Sequence, residues 1–168
     1  MQIRDVLSHT SGLTYDFMHA SNVDAAYREL SVGLPRRGYS LQQMIDQLAA
    51  LPLEFSPGQR WNYSLATDVL GYLIEVISGQ SLPDFMRSAI FEPLGMVDTS
   101  FEIPADKVDR LASCYERNLQ KEMVLQDDCR DSHFASRTFW SGGGGLLSTA
   151  GDYYRFCQML LNGGELDG

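Results

Sequence analysis

Basic residues are scarce in this sequence: 13 Lys and Arg stand against 22 Asp and Glu, for a net charge of −9. Nucleic acids are held through Lys and Arg on their phosphates, so this balance argues against a nucleic-acid partner. It argues equally against adsorption to an anionic membrane. Long hydrophobic runs are also missing. No stretch approaches the roughly 20 apolar residues of a bilayer-spanning helix, and no signal-peptide pattern occurs in the first residues; localisation is left open. Cysteine is sparse and odd in number, at Cys114, Cys129 and Cys157, with no C-x-x-C pair. That excludes a zinc ribbon and gives no disulfide framework. The histidines, His9, His19 and His133, share no metal-ligand spacing. No metal and no cofactor is expected.

What is present is ordinary for a globular chain. Hydrophobic residues make up 44% of the 168 residues and charged residues 21%, enough for one sizeable core. Helix signals dominate. Ile3–Leu7 reads as a short helix before a turn at Gly12, and Val23–Leu30 is weakly helical. Pro35-Arg36-Arg37-Gly38 reads as a solvated loop. Ser40 with Gln43 forms a capping box for a helix over Leu41–Leu51. Leu65, Val69, Leu70, Leu73, Ile74 and Ile77 make an apolar stripe, which predicts a helix over Leu65–Ile77 with Ser64 as its cap. Ser81 caps a helix over Leu82–Ile90, with Pro83 in its first turn. Ser148 or Thr149 caps a last helix over Ala150–Leu161, in which Tyr153 and Phe156 are expected in the core. Any sheet is small and lies between Leu111 and Leu147, from strands near Leu111–Tyr115 and Met123–Leu125. The expected fold class is mainly α with a small β element, in a single helical domain over 1–168.

Four segments, in order, carry a resemblance. They are Ile3-Arg4-Asp5-Val6-Leu7-Ser8-His9-Thr10-Ser11-Gly12-Leu13; Phe55-Ser56-Pro57-Gly58 with Tyr63-Ser64; Phe91-Glu92-Pro93-Leu94-Gly95-Met96; and Gly143-Gly144-Gly145-Leu146 with Ser148-Thr149-Ala150 and Asp152. Together they resemble class C β-lactamases, related penicillin-binding proteins and family VIII carboxylesterases over nearly the whole chain. The resemblance implies the helical-domain portion of the serine β-lactamase/transpeptidase-like fold: an internal segment, with the S-x-x-K part and the terminal sheet part outside these residues.

It also implies a chemistry. In that family a Ser of S-x-x-K attacks a carbonyl and forms an acyl-enzyme. The Lys shares the proton traffic, and the Tyr of a Y-x-N motif works in general acid–base catalysis. A phenol of ordinary pKa ~10 can do so only beside a cation. An oxyanion hole holds the developing charge. Carried over, Tyr63 is the catalytic candidate, with Ser64 and Leu65 as substrate-binding candidates. The β-lactamases have Asn where Leu65 stands. Leu donates no hydrogen bond, so the esterase form of the motif and an ester substrate fit better than a β-lactam.

The nucleophile motif is missing from these residues. Lysine occurs only at Lys107 and Lys121, preceded three residues earlier by Pro104 and Asn118. No K-[ST]-G or W-G-G triplet of the family's third motif occurs, and Trp140-Ser141-Gly142 stands on the wrong side of the glycine-rich segment. G-x-S-x-G is absent, and no Lys-Ser/Thr follows Gly142–Gly145, so a P-loop is excluded. Two functions remain. One is a segment of a serine hydrolase acting on a small-molecule ester or β-lactam, inactive alone. The other is a non-catalytic helical binding or interaction module. Either leaves room for a homodimer or for a complementing half. His9 is expected to be a structural hydrogen-bonding residue at its turn, and the glycines to serve close backbone packing.

Overall fold

A computed structural model describes residues 1–34, 38–132 and 139–165. The expected loop at Pro35-Arg36-Arg37 and His133 lie outside the described residues. The helices are α1 (Ile3–Leu7), α2 (Asn22–Leu30), α3 (Leu41–Ala49), α4 (Ala66–Ser78), α5 (Leu82–Met86) and α6 (Ala150–Leu161). Short 3-10 turns occupy Asp16–Met18 and Ala105–Arg110. The strands β1 (Cys114–Arg117) and β2 (Met123–Asp127) form one antiparallel pair. The chain is therefore mainly helical with a two-stranded sheet, as the composition of its segments implies.

Side-chain caps decide several helix starts. Gln43 N–H donates to Ser40 Oγ at 3.3 Å, and Ser40 N–H donates back to Gln43 Oε1 at 2.9 Å. Asp84 N–H donates to Ser81 Oγ at 3.2 Å, and Asp152 N–H to Thr149 Oγ1 at 3.2 Å. Each bond satisfies a backbone donor that the first turn would otherwise leave orphaned. A further capping box, Ser21 with Asp24, starts α2.

Three expectations are corrected. The helix after Ser81 does not run regularly to Ile90: beyond Met86 it widens into a π turn over Arg87–Phe91, and Pro93 and the left-handed Gly95 then end it. The first strand lies at Cys114–Arg117, displaced from Leu111–Tyr115, because the register is set by the turn through Lys121, whose φ is +65°. Tyr153 is 63% exposed rather than core, and stacks on Phe156 at 6.4 Å.

The described chain forms two compact units: residues 1–89 with 138–145, and residues 90–137 with 146–168. In the first, Val6, Leu13, Tyr27, Tyr39, Met44, Leu65 and Leu82 are buried. Tyr39 stacks on Phe139 at 5.3 Å and donates its hydroxyl to Gln47 at 2.6 Å. Burying a side chain such as Met44 stabilises by about 2 kcal/mol. The apolar stripe of α4 is only partly used. Its buried residues are Ala66, Asp68 and Gly71, while Ile77 is 75% exposed. Small residues are buried there because a backbone crosses the helix. A Cβ on Gly71 would lie 3.2 Å from Gly142 Cα, and one on Gly142 would lie 2.2 Å from the Thr67 carbonyl oxygen.

The second unit is organised by Asp152. Its Oδ2 accepts from the Asp98 N–H at 2.7 Å and the Thr99 hydroxyl at 3.0 Å. Ser100 and Leu147 exchange backbone hydrogen bonds beside it. Asp98 in turn takes both guanidinium nitrogens of Arg110, at 2.9 and 2.7 Å, and the Lys107 ammonium at 2.7 Å. Arg110 first, then Lys107, hold the Asp98 carboxyl well below the usual carboxylate range. Lys107 is thus engaged in a structural ion pair.

Candidate functional site

Two sequence-distant segments are laced together to build the site. The Glu54 N–H donates to the Gly12 carbonyl, the Gly58 N–H to Thr10, and the Asn62 N–H to His9, each at 2.8 Å. The Asn62 side chain donates to the Leu13 carbonyl at 2.8 Å, and the Leu65 N–H to Thr14 at 3.3 Å. Gly12 has φ +84°, and a Cβ there would lie 2.3 Å from the Phe55 carbonyl oxygen; glycine is required on both counts. The turn after α1 is therefore fixed beside the approach to α4, and the residues that carried the resemblance become neighbours.

His9, Tyr15, Phe17, Trp61 and Tyr63 form one aromatic cluster. Tyr63 is at its centre, with ring centroids 4.9 Å from Tyr15, 5.5 Å from His9, 6.4 Å from Trp61 and 6.5 Å from Phe17. Tyr15 stacks on Phe17 at 4.7 Å. Tyr63 is 45% exposed and Trp61 64%. The Tyr63 ring is thus packed against its neighbours while nearly half of the residue stays exposed.

His9 makes a side-chain hydrogen bond from its turn. Its φ is +54°, and its Nδ1 shares a hydrogen bond of 3.2 Å with Ser64 Oγ. The expected helix cap is corrected. The cap position of α4 is Leu65, with no side-chain cap bond, so Ser64 does not cap the helix. Ser64 is fully buried against His9, and Leu65 is 4% exposed with its side chain filling the space above Gly33. Both pack inward while Tyr63 stays half-exposed: the backbone leaves extended geometry at Leu65, whose φ is −63° and ψ 16°, so residues 64 and 65 do not alternate sides.

A polar network beneath the cluster was not legible in the sequence. Asp68, in the first turn of α4, is 2% exposed. Its Oδ1 accepts from Ser141 Oγ at 2.5 Å and from the Gly143 N–H at 3.4 Å. Burial raises its carboxyl above the ordinary Asp value, while the hydrogen bonds from Ser141 and Gly143 pull the other way. Gly143 leaves room where this network meets the aromatic cluster. The position a Cβ would take lies 3.0 Å from Asp68 Oδ2, 3.0 Å from Thr67 Oγ1 and 3.4 Å from the Tyr15 hydroxyl. The only signals for these residues were an Asp in a first helical turn, ordinarily a solvated preference, and an isolated Tyr in a loop. Among the described residues no group of three or more His, Cys, Asp or Glu is placed to hold a metal ion.

An aromatic-ringed tyrosine ahead of a helix, backed by a glycine-rich segment, on a mostly helical frame, defines the tyrosine-bearing portion of a β-lactamase/transpeptidase-like serine hydrolase fold. The Beta-lactamase family matches residues 1–168, and the chain belongs to it. Protein Rv1367c of Mycobacterium tuberculosis is 38% identical over 166 residues, 99% of this chain and 40% of that protein. Esterase EstB of Burkholderia gladioli is 33% identical, over 94% of this chain and 44% of that protein. Among solved structures, EstCE1, described as a hydrolase with promiscuous acyltransferase activity, superposes with a TM-score of 0.81 at 29% identity, over 98% of this chain and 47% of that one. Simvastatin synthase (LovD) of Aspergillus terreus gives 0.74 at 27%, over 99% and 39%. The chain spans about two fifths of the length of these curated relatives.

Proposed function

We propose that this chain supplies the acid–base tyrosine of an ester-acting serine hydrolase, and that the 168 residues alone do not turn over. Held as phenolate by the Lys of the completing S-x-x-K part, Tyr63 takes the proton of the attacking serine hydroxyl as the serine oxygen bonds to the ester carbonyl. It returns that proton to the departing alcohol as the acyl-enzyme forms. The acyl-enzyme is then cleaved by water through the same tyrosine. The observation that carries this is Tyr63 itself: central in an aromatic cluster, exposed on one side, and pinned by the backbone ladder between residues 9–14 and 54–65. Leu65 stands where the β-lactamases have Asn and offers no hydrogen-bond donor, which supports an ester over an amide or β-lactam. The names of EstB and EstCE1 point the same way.

The test completes the chain with the S-x-x-K and sheet-forming parts of an EstB-type relative. Hydrolysis of a short p-nitrophenyl ester is expected, and Tyr63→Phe should lower kcat/KM by at least about 100-fold, the typical worth of a positioned acid–base group. Equal turnover with Phe at 63 would overturn the assignment.

Exposed apolar residues of the first unit support association. Ile3, Leu7, Phe17, Trp61 and Tyr63, all in the first unit, are between 45% and 65% exposed. Contiguous apolar patches on monomers seldom exceed a few hundred Å², and two-fold pairing is the commonest repair. A second copy of the chain, or the complementing half of the enzyme, is the expected cover. Sedimentation across a wide concentration range should show self-association. A monomer at every concentration, binding no hydrophobic dye, would contradict it.

A further inference from the structure

We infer that His9 is a positioning residue for Tyr63: from the turn after α1 its imidazole hydrogen-bonds with the buried Ser64 hydroxyl and packs on Trp61 and Tyr63, so that the Tyr63 ring keeps one direction. The inference rests on Tyr63 being the base of the proposed reaction, but it concerns a different residue and adds a measurement that needs no turnover.

Residues 61–64 belong to no helix or strand, so no regular ladder sets the direction of Tyr63. His9 meets all four of them. Its backbone carbonyl accepts from the Asn62 N–H at 2.8 Å. Its Nδ1 and the Ser64 Oγ share a hydrogen bond of 3.2 Å. Its ring centroid lies 6.1 Å from that of Trp61, inclined at 61°, and 5.5 Å from that of Tyr63, inclined at 46°. Tyr63 therefore stands between two residues, Asn62 and Ser64, that are each hydrogen-bonded to His9.

The His9 ring is itself aimed. Its backbone has φ +54°, a region in which His, Asn and Asp are enriched over other side chains. Its N–H donates to the Val6 carbonyl at 3.3 Å and closes the turn. Ser64 is fully buried, so its hydroxyl has no bulk water to turn to, and leaving it without a partner is costly. That cost keeps the imidazole on Ser64, and with it the ring against Tyr63. Direction matters to the chemistry. A base must lie within hydrogen-bond reach of the proton it takes, and a displacement of about 1 Å can cost about 100-fold in rate. Tyr63 is 45% exposed, so the contacts on its inner side must supply the restraint.

The test follows Tyr63 in the full 168-residue chain by NMR with 13C-labelled tyrosine rings and β-carbons, the Tyr63 signals being assigned with Tyr63→Phe. The parent chain should show one χ1 rotamer for Tyr63 and cross-relaxation between its ring and that of His9. His9→Gly removes the imidazole while easing the positive φ, and should leave Tyr63 averaging between rotamers. Ser64→Ala removes the other end of the hydrogen bond and should loosen Tyr63 in the same way, so either variant suffices if the other does not fold. His9→Asn suits the same φ and can regain the bond to Ser64, and should narrow the rotamers again. Tyr27 and Tyr39, buried in the same unit, report the fold through the same label and should not move. A Tyr63 rotamer unchanged in His9→Gly and Ser64→Ala would overturn the inference. So would His9→Asn behaving as His9→Gly does, or Tyr27 and Tyr39 loosening together with Tyr63, which would make His9 a general packing residue. In the completed enzyme of the ester assay, His9→Gly should lower kcat by about 10-fold or more with KM held within about twofold, and His9→Asn should recover part of the loss. A KM effect alone would count against positioning. Turnover that survives Tyr63→Phe would sink the proposed reaction and leave the NMR result standing, whereas turnover lost in Tyr63→Phe but kept in His9→Gly would sink this inference alone.

Discussion

Gly142→Ala should destabilise the first unit by about 3 kcal/mol, at the upper end of what inserting a single methyl into packed structure costs. An ideal Cβ at residue 142 would stand 2.2 Å from the Thr67 carbonyl oxygen, 3.1 Å from the Thr67 carbonyl carbon and 3.1 Å from the Gly71 nitrogen. All three are backbone atoms of two α4 groups, the Thr67 carbonyl and the Gly71 amide. They can yield only by moving the glycine-rich segment off the helix. That movement would also draw Ser141 and Gly143 away from Asp68, leaving a buried carboxylate short of partners, which is costly in itself. Neighbouring glycines grade the effect. A Cβ on Gly71 meets the tip of the Leu82 side chain at 3.0 Å, which can shift, and the Gly142 Cα at 3.2 Å, which can shift less. Gly71→Ala should therefore cost about 1–2 kcal/mol. Gly144 has nothing within 4 Å, and Gly144→Ala should stay within about 0.5 kcal/mol. Urea midpoints of the three variants, read at constant m, give the order. A Gly142→Ala chain as stable as the Gly144→Ala chain would show that the segment does not press on α4.

Local signals in the sequence were reliable where one side chain decides an outcome. The Ser40–Gln43 box, the Ser81 cap and the span Ala150–Leu161 were all readable, because a cap is a contract between residues three apart. The hydrogen bonding of His9 at its turn was readable too. Failures occurred where the deciding contact lies far along the chain. The stripe on α4 has helical period, yet periodicity does not say that residues 70 positions onward would cross the helix at Gly71. Asp68 looks like an ordinary first-turn acid until Ser141 and Gly143 are known to lie over it. Tyr15 has no periodic signature, and it meets Tyr63 only because the ladder from Glu54 to Leu65 fixes two loops together. The ordered motifs pointed to the family. They misread Ser64 as the cap of α4, a position that Leu65 takes.

No serine-hydrolase turnover is expected from the 168 residues alone, whose rate should fall about a millionfold short of a complete enzyme. That is the order of loss when a nucleophile is removed. The absence of S-x-x-K motivates the expectation, but two serines in the structure could be mistaken for replacements. Ser64 lies 3.2 Å from His9 Nδ1, within the range of a nucleophile and its base. It is fully buried, however, and the His9 ring is flanked by Trp61 and Tyr63 rather than by a carboxylate that would orient it. An attacking oxygen must reach a carbonyl, and this one has no open side. Ser141 is closer still to a potential base, at 2.5 Å from Asp68 Oδ1. There the hydroxyl is a donor that satisfies a buried carboxylate, and the same carboxylate is occupied by the Gly143 N–H. Withdrawing the Ser141 proton would place a second negative charge beside it in a poorly solvated site. Both serines are therefore held as hydrogen-bond partners and not released as nucleophiles. A fluorophosphonate probe should label the folded chain no faster than the denatured one, and p-nitrophenyl acetate should be cleaved no faster than in buffer containing an equal amount of unfolded protein. Stoichiometric labelling at Ser64 or Ser141 would overturn this, and would relocate the nucleophile of this chain to a position its relatives' first motif does not occupy.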